Sequence, residues 1–101
     1  MSGNRVELSG SLARIEALRH TPAGVTVLEF GLKHASERIE AGKPRTVELE
    51  VDAIAFESDA RVVAGAALGT GLKVEGFLAA KSRRSRKIVL HVTRIEFVEG
   101  V

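Results

Sequence analysis

The chain has no cysteine, no tryptophan and no tyrosine, and only four phenylalanines and two prolines among its 101 residues. Without cysteine there is no disulfide framework, no thiolate zinc site and no cysteine nucleophile. A cytoplasmic location is the simplest expectation. Long apolar runs are also missing, and no stretch approaches the ~20 residues of a membrane-spanning helix, so no membrane partner is expected. The opening residues Met1 to Arg5 lead straight into an alternating pattern with no apolar segment before it, so no signal peptide is expected. Glycine-rich phosphate loops of the Walker or Rossmann type are absent. His20, His34 and His91 stand at no recognisable metal-ligand spacing, so neither metal nor cofactor is expected. Glu48, Glu50 and Asp52 share one strand face, but they read as a solvated outer surface rather than an acid–base pair. The expectation is a binding protein, not an enzyme.

Two features are present in strength. The first is charge held in one place. Fifteen Lys and Arg face thirteen Asp and Glu, a net of only +2. Five of those bases lie in Lys81-Ser82-Arg83-Arg84-Ser85-Arg86-Lys87, and the remainder carries ten bases against thirteen acids, a net of −3. A slightly acidic body thus presents a concentrated cationic segment, an arrangement suited to a polyanion.

The second is a period of two. Val6, Leu8, Gly10 and Leu12 alternate with polar residues, and from Ala13 the phase slips by one, which points to a bulge or bend in a long first strand. Thr21-Pro22-Ala23-Gly24 reads as a turn. A second strand runs from about Val25 to Lys33, residues 34–45 read as a long polar loop, and a third strand covers Thr46 to Ala53. From Ala53 to Leu68 the spacing of Phe56, Ala60, Val63, Ala64 and Ala67 turns helical, with Ser58 as the expected cap and Asp59 suited to the positive helix end. Gly69-Thr70-Gly71 stops it. A fourth strand covers Leu72 to Ala80 and a fifth starts near Lys87, with a second phase slip at Thr93-Arg94. Three strands, one helix and two strands in a single domain over residues 1–101 match the OB-fold, an all-β five-stranded barrel with one short helix between strands 3 and 4. A small SH3-like barrel would not usually carry a helix of that length there.

In such a barrel the basic segment is the hairpin joining the last two strands, beside the face that takes oligonucleotides and oligosaccharides. Lys81, Arg83, Arg84, Arg86 and Lys87 are the candidate nucleic-acid contacts, since guanidinium groups match phosphate oxygens in a bidentate way. Aromatic residues are few for a protein that stacks bases. Phe30, Phe56 and Phe97 read as core, which leaves Phe77, out of phase with Val74 and Leu78, as the possible stacking residue. Binding is therefore expected to be mostly electrostatic. An RNA-binding barrel of the cold-shock type is disfavoured by the same shortage of surface aromatics.

Asn4-Arg5-Val6-Glu7-Leu8-Ser9-Gly10, Thr21-Pro22-Ala23-Gly24, Leu28-Glu29-Phe30-Gly31-Leu32-Lys33-His34, Val74-Glu75-Gly76-Phe77 and Lys87-Ile88-Val89-Leu90-His91 occur in this order. Together they resemble the primosomal replication protein N (PriB) family, which is related to the bacterial single-stranded DNA-binding proteins. The resemblance implies an OB-fold homodimer that binds single-stranded DNA, docks on the PriA helicase and other primosome proteins, and stimulates replication restart without catalytic activity of its own. It adds Arg19 to the implied DNA contacts, alongside Lys81, Arg84 and Lys87. It also marks departures. Lys43 and Glu48 stand where the family places aromatics, and Ala35 stands at a basic position. Lys43 and Arg45 then serve as point charges that recover part of the lost affinity. The other expectation is a protein-interaction module of the primosome with weak, electrostatic DNA binding.

Overall fold

The computed structural model describes residues 3–98. Its elements are β1 (Val6–Ile15), β2 (Arg19–His20), β3 (Thr26–Glu40), β4 (Lys43–Phe56), α1 (Glu57–Ala64), β5 (Gly71–Ala80) and β6 (Ile88–Phe97). Five long strands close into a barrel, and the helix falls between the third and fourth of them, as the pattern of periods implies.

The bend in β1 makes closure possible. Val6 to Ser11 pair with β5, and Ser11 to Ile15 pair with β3. The register slips between Leu12 and Arg14, where the sequence changes phase. Gly10 marks the crossing: a Cβ there would stand 2.3 Å from the Lys33 carbonyl oxygen, so only glycine lets the two backbones come this close. At the other seam β4 and β6 run parallel, with Ala53 opposite Leu90 and Ile54 opposite His91. The second expected slip is also present. Glu75 faces Arg94 while Gly76 faces Val92, which leaves Thr93 as the extra residue.

The interior follows from alternation. Leu12, Leu28, Phe30, Leu32, Ala53, Ala55, Leu72, Val74, Leu90 and Val92 point inward and are buried. The helix covers one end with Ala60 and Val63. On the outside, cross-strand ion pairs tie the sheet. The Lys73 ammonium lies 3.0 Å from Glu7, which holds that carboxyl below its usual range and raises Lys73.

Four expectations need correction. Residues 34–45 are not a loop. β3 and β4 continue as a ladder from Val27–Phe56 out to Glu40–Lys43, closed by the two-residue turn Ala41-Gly42. Polar composition misleads there because both faces of the hairpin stand clear of the barrel and neither needs apolar residues. The first strand, whose slipped alternation runs on through Ala17 in the sequence, stops at Ile15, and Arg19–His20 pairs separately with β3 at Val27 and Thr26. The helix is only eight residues long, and Ser58 does not cap it. Phe56 occupies the cap position, while the Glu57 carboxylate reaches back to accept the Thr26 N–H at 2.7 Å. After Gly65 the chain is sewn to β1 instead, through Gly69 N–H to Leu12 O (2.8 Å) and Leu12 N–H to Thr70 O (2.9 Å). Finally, only Phe30 of the three expected core aromatics is buried; Phe56 is half-buried and Phe97 is 56% exposed.

The turn yields a test. Both Ala41 and Gly42 have positive φ, 52° and 77°. Such two-residue hairpin turns favour Asn-Gly, and alanine in the left-handed region is strained. Ala41→Asn is expected to stabilise the protein by about 0.5–1 kcal/mol, read as a higher urea midpoint at unchanged slope.

Candidate nucleic-acid interface

Which cations are free decides where a polyanion can bind. On the body six of ten are engaged by carboxylates, and Lys33, Arg38, Lys43 and Arg61 have no ion pair among the described residues. Arg5 pairs with Glu7 and Glu75, Arg19 with Glu29, Lys73 with Glu7, and Arg94 with Glu75 and Glu96. Arg14 lies 3.1 Å from Asp52, 3.6 Å from Glu50 and 3.4 Å from Glu16. Two of the three carboxylates on the acidic face of β4 thereby share one guanidinium with Glu16. Glu48 has no ion-pair partner among the described residues.

The loop between β5 and β6 is the opposite case. None of Lys81, Arg83, Arg84, Arg86 and Lys87 has an acidic partner among the described residues, and all five are exposed. Local geometry keeps them so. Lys81 N–H donates to Lys87 O at 2.9 Å and closes the hairpin. Inside it, Ser85 N–H donates to Ser82 O at 3.2 Å, and the Ser85 hydroxyl accepts Lys87 N–H at 3.0 Å. Arg83 and Arg84 are therefore the two central residues of a β-turn, from which side chains project outward. The serines bind the backbone and leave the arginines to the solvent.

The loop springs from the rim of a cleft of about 170 Å³ lined by Arg19, Glu29, Ile54, Lys81, Val89 and His91. Arg19 and Lys81, far apart in sequence, meet here because β2 pairs with β3 beside the β4–β6 seam. Next to the cleft three rings stand side by side on neighbouring strands. Phe77 and His91 are stacked with centroids 5.1 Å apart, and His91 and Phe56 follow at 6.0 Å. Phe77 ends the row and is 41% exposed. One of its faces is covered by His91, so at most one base can stack on the other.

Lys43 and Arg45 lie elsewhere, on the extended hairpin of β3 and β4. They alternate in phase with Val51 and Ala53, whereas the cleft residue Ile54 belongs to the other row. Arg45 is further tied to Glu40. Ala35 and Glu48 are direct cross-strand partners on this hairpin, so two of the departures from the resembled family form one patch.

His91, Phe56, Glu29 and Ile54 are absent from the sequence-based site. His91 was legible in principle. A seven-residue loop pairing Ala80 with Ile88 puts Phe77 opposite His91. His34, by contrast, is structural. Its Nδ1 donates to the Ser9 carbonyl (2.6 Å), which leaves Nε2 to accept from the Ser36 hydroxyl (2.9 Å).

Comparison with known proteins agrees with this architecture. Residues 4–94 match the model of another single-strand binding protein family. Replication restart protein PriB of Bordetella pertussis is 43% identical over 97 residues, covering 96% of this chain and 91% of that protein. The PriB of Nitrosomonas europaea is 40% identical over 94 residues, covering 91% and 87%. Among solved structures, PriB from Ralstonia solanacearum superimposes with a TM-score of 0.85 at 33% identity, covering 95% of this chain and 98% of that one. The single-stranded DNA binding protein of Thermus aquaticus gives a TM-score of 0.75 at 26% identity, covering 96% of this chain and 50% of that one. With near-full-length identity of this order, the chain belongs to the PriB family of replication restart proteins, within the wider group of single-strand binding barrels.

Proposed function

We propose that this protein is a non-enzymatic accessory factor of replication restart in the cytoplasm. It holds single-stranded DNA through the β5–β6 loop and the adjoining cleft, and binds and stimulates the PriA helicase. The observation that supports this most is the concentration of unpaired charge: six of the ten body cations are engaged by carboxylates, while all five cations of one short loop have no acidic partner among the described residues. Free guanidinium groups on a projecting turn suit the irregular phosphate path of a single strand better than the fixed groove of a duplex. Lys81 extends the positive tract into the cleft, where Arg19 is held by Glu29 and keeps its remaining N–H groups for the strand, and Phe77 offers one stacking face. Lys43 and Arg45, on the far hairpin, are secondary contacts.

A homodimer accompanies this reading. From Val6 to Gly10 one edge of β1 pairs with β5, and pairing with β3 begins only at Ser11. Apart from the Ser9 carbonyl, which His34 occupies, the opposite edge of that half-strand has no strand partner among the described residues and is offered to a second copy across a two-fold axis.

A second reading is a primosome interaction module in which DNA binding is weak. Glu48, without an ion-pair partner among the described residues and beside Ala35, where the family pattern has an aromatic and a base, favours it. Titrating the protein, with its mass in solution measured on the same sample, separates the two. Labelled oligo-dT and purified PriA helicase are added in turn and fluorescence anisotropy is read. The first reading expects a dimer that binds both, with log K against log salt falling by about 0.7 per phosphate contacted. Tight helicase binding without oligonucleotide binding at moderate salt makes the second reading correct. Failure to bind either overturns both.

A further inference from the structure

The cleft at the foot of the loop contains a group that phosphate binding does not explain. Glu29 is a carboxylate on a surface otherwise suited to a polyanion, where it repels phosphate. It is half-buried and faces Ile54 across the β3–β4 ladder. Arg19 Nη2 donates to Glu29 Oε2 at 3.1 Å. That single bond leaves Glu29 Oε1 and the other guanidinium N–H groups without a protein partner among the described residues. Acceptor and donor therefore stand side by side at the cleft.

We propose that this cleft is a base-reading subsite for guanine, with the Arg19–Glu29 pair as its specificity-determining element. The inference rests on the single-stranded DNA reading and adds sequence preference to it. The Watson–Crick edge of guanine is the only one of the four with two adjacent donors, N1–H and N2–H, beside an acceptor, O6. A carboxylate accepts the two donors and the neighbouring guanidinium donates to O6. Cytosine and adenine offer a carboxylate one amino group, and thymine one ring N–H. The rest of the cleft fits the same nucleotide. Ile54, Val89 and the His91 ring provide the apolar lining, and the cleft, at about 170 Å³, has room for one base. Lys81 lines it without an acidic partner among the described residues, placed for the phosphate. Glu29 is also half-buried, which strengthens its hydrogen bonds relative to those of a solvated carboxylate.

The test is competition against labelled oligo-dT of about 15 nucleotides. Competitors of the same length carry isolated guanine, adenine or cytosine at intervals in a thymine background, which prevents folded guanine structures. The wild type is expected to bind the guanine competitor at least about fivefold more tightly than the other two. In Glu29→Gln that advantage, read as the ratio of the guanine competitor to the adenine and cytosine ones, falls below about twofold, since an amide offers one acceptor where the carboxylate offers two. Arg19→Lys keeps the charge, loses the planar fork and loses the advantage as well. A merely structural salt bridge would lower binding of all competitors together. Equal binding of all four by the wild type, or a guanine advantage that survives in Glu29→Gln, overturns the subsite and leaves the DNA reading standing. Absence of binding by any oligonucleotide overturns the DNA reading itself.

Discussion

Replacing Arg83, Arg84 and Arg86 together by alanine is expected to lower affinity for oligo-dT about a hundredfold at roughly 0.1 M salt. Each phosphate neutralised on a single strand releases about 0.7 of a counterion. Three lost contacts therefore reduce the slope of log K against log salt by about two units, and at this salt that corresponds to about two decades. The triple variant should fold as the wild type does. The turn is held by Lys81 N–H, Ser85 N–H and the Ser85 hydroxyl, none of which belongs to an arginine side chain. None of the three arginines is in an ion pair among the described residues, so their removal leaves no carboxylate unpaired there. Equal urea midpoints for variant and wild type would confirm that the loss is electrostatic. The decisive readout is the slope. A variant with lower affinity but an unchanged salt slope would mean that the arginines act through loop shape, and an unchanged affinity would remove the loop from the interface.

The contrast with the paired cations makes this effect large. Truncating Arg14 would also remove a positive charge, but would leave Glu16, Glu50 and Asp52 without their shared partner. Its consequences would mix repulsion within the protein with loss of DNA contact. The loop arginines carry no such burden. Their charge acts almost wholly outward, and screening by salt is the measure of that.

The barrel was legible in the sequence because its strands are half-buried. One inward face forces alternation, and a bulge shifts that alternation by one residue. Hence Ala13 and Thr93 announced both irregularities. The β3–β4 hairpin was not legible for the complementary reason. Beyond Leu32 and Val51 neither face meets the core, so residues such as Ser36, Glu37, Arg38 and Arg45 follow no period. What holds them as strands is backbone pairing and a turn at Ala41-Gly42, and alanine is not the residue such a turn ordinarily announces. The helix was overdrawn because alanine spacing survives past Gly65, while the chain there is recruited by β1 through Gly69 and Thr70, a tertiary bond with no local signature. At the site, the loop charges were visible because a run of bases is contiguous. The cleft was not, because Arg19, Glu29, Ile54 and His91 come from four strands, and only the β2–β3, β3–β4 and β4–β6 pairings together bring them to one place.

Gly76→Ala is expected to destabilise the protein by about 2–3 kcal/mol, more than alanine at any glycine with open space around it. Gly76 lies in the inward row of β5, opposite Val92 and beside the extra residue Thr93. A Cβ there would stand 1.9 Å from the His91 carbonyl oxygen, 2.8 Å from its carbon and 3.1 Å from Val92 Cα. All three atoms are backbone, so no rotamer change relieves the clash, and β5 and β6 must part. Backbone conformation is not the cause, because the φ of Gly76 is not among the positive ones. Gly24→Ala supplies the comparison. Gly24 has φ 84° and nothing within 4 Å of a Cβ, so its penalty of about 1 kcal/mol is conformational alone. Urea midpoints of the two variants separate the effects. The clash also reaches the interface, since moving His91 breaks its stack with Phe77. The His91 ring protons, shielded in the wild type by phenyl rings on both sides, should shift downfield in Gly76→Ala and stay in place in Gly24→Ala. A Gly76→Ala protein as stable as the wild type would mean that the β5–β6 seam has slack. If so, the same slack would loosen the stack of His91 on Phe77, because the backbone that excludes the Cβ is the backbone that carries the His91 ring.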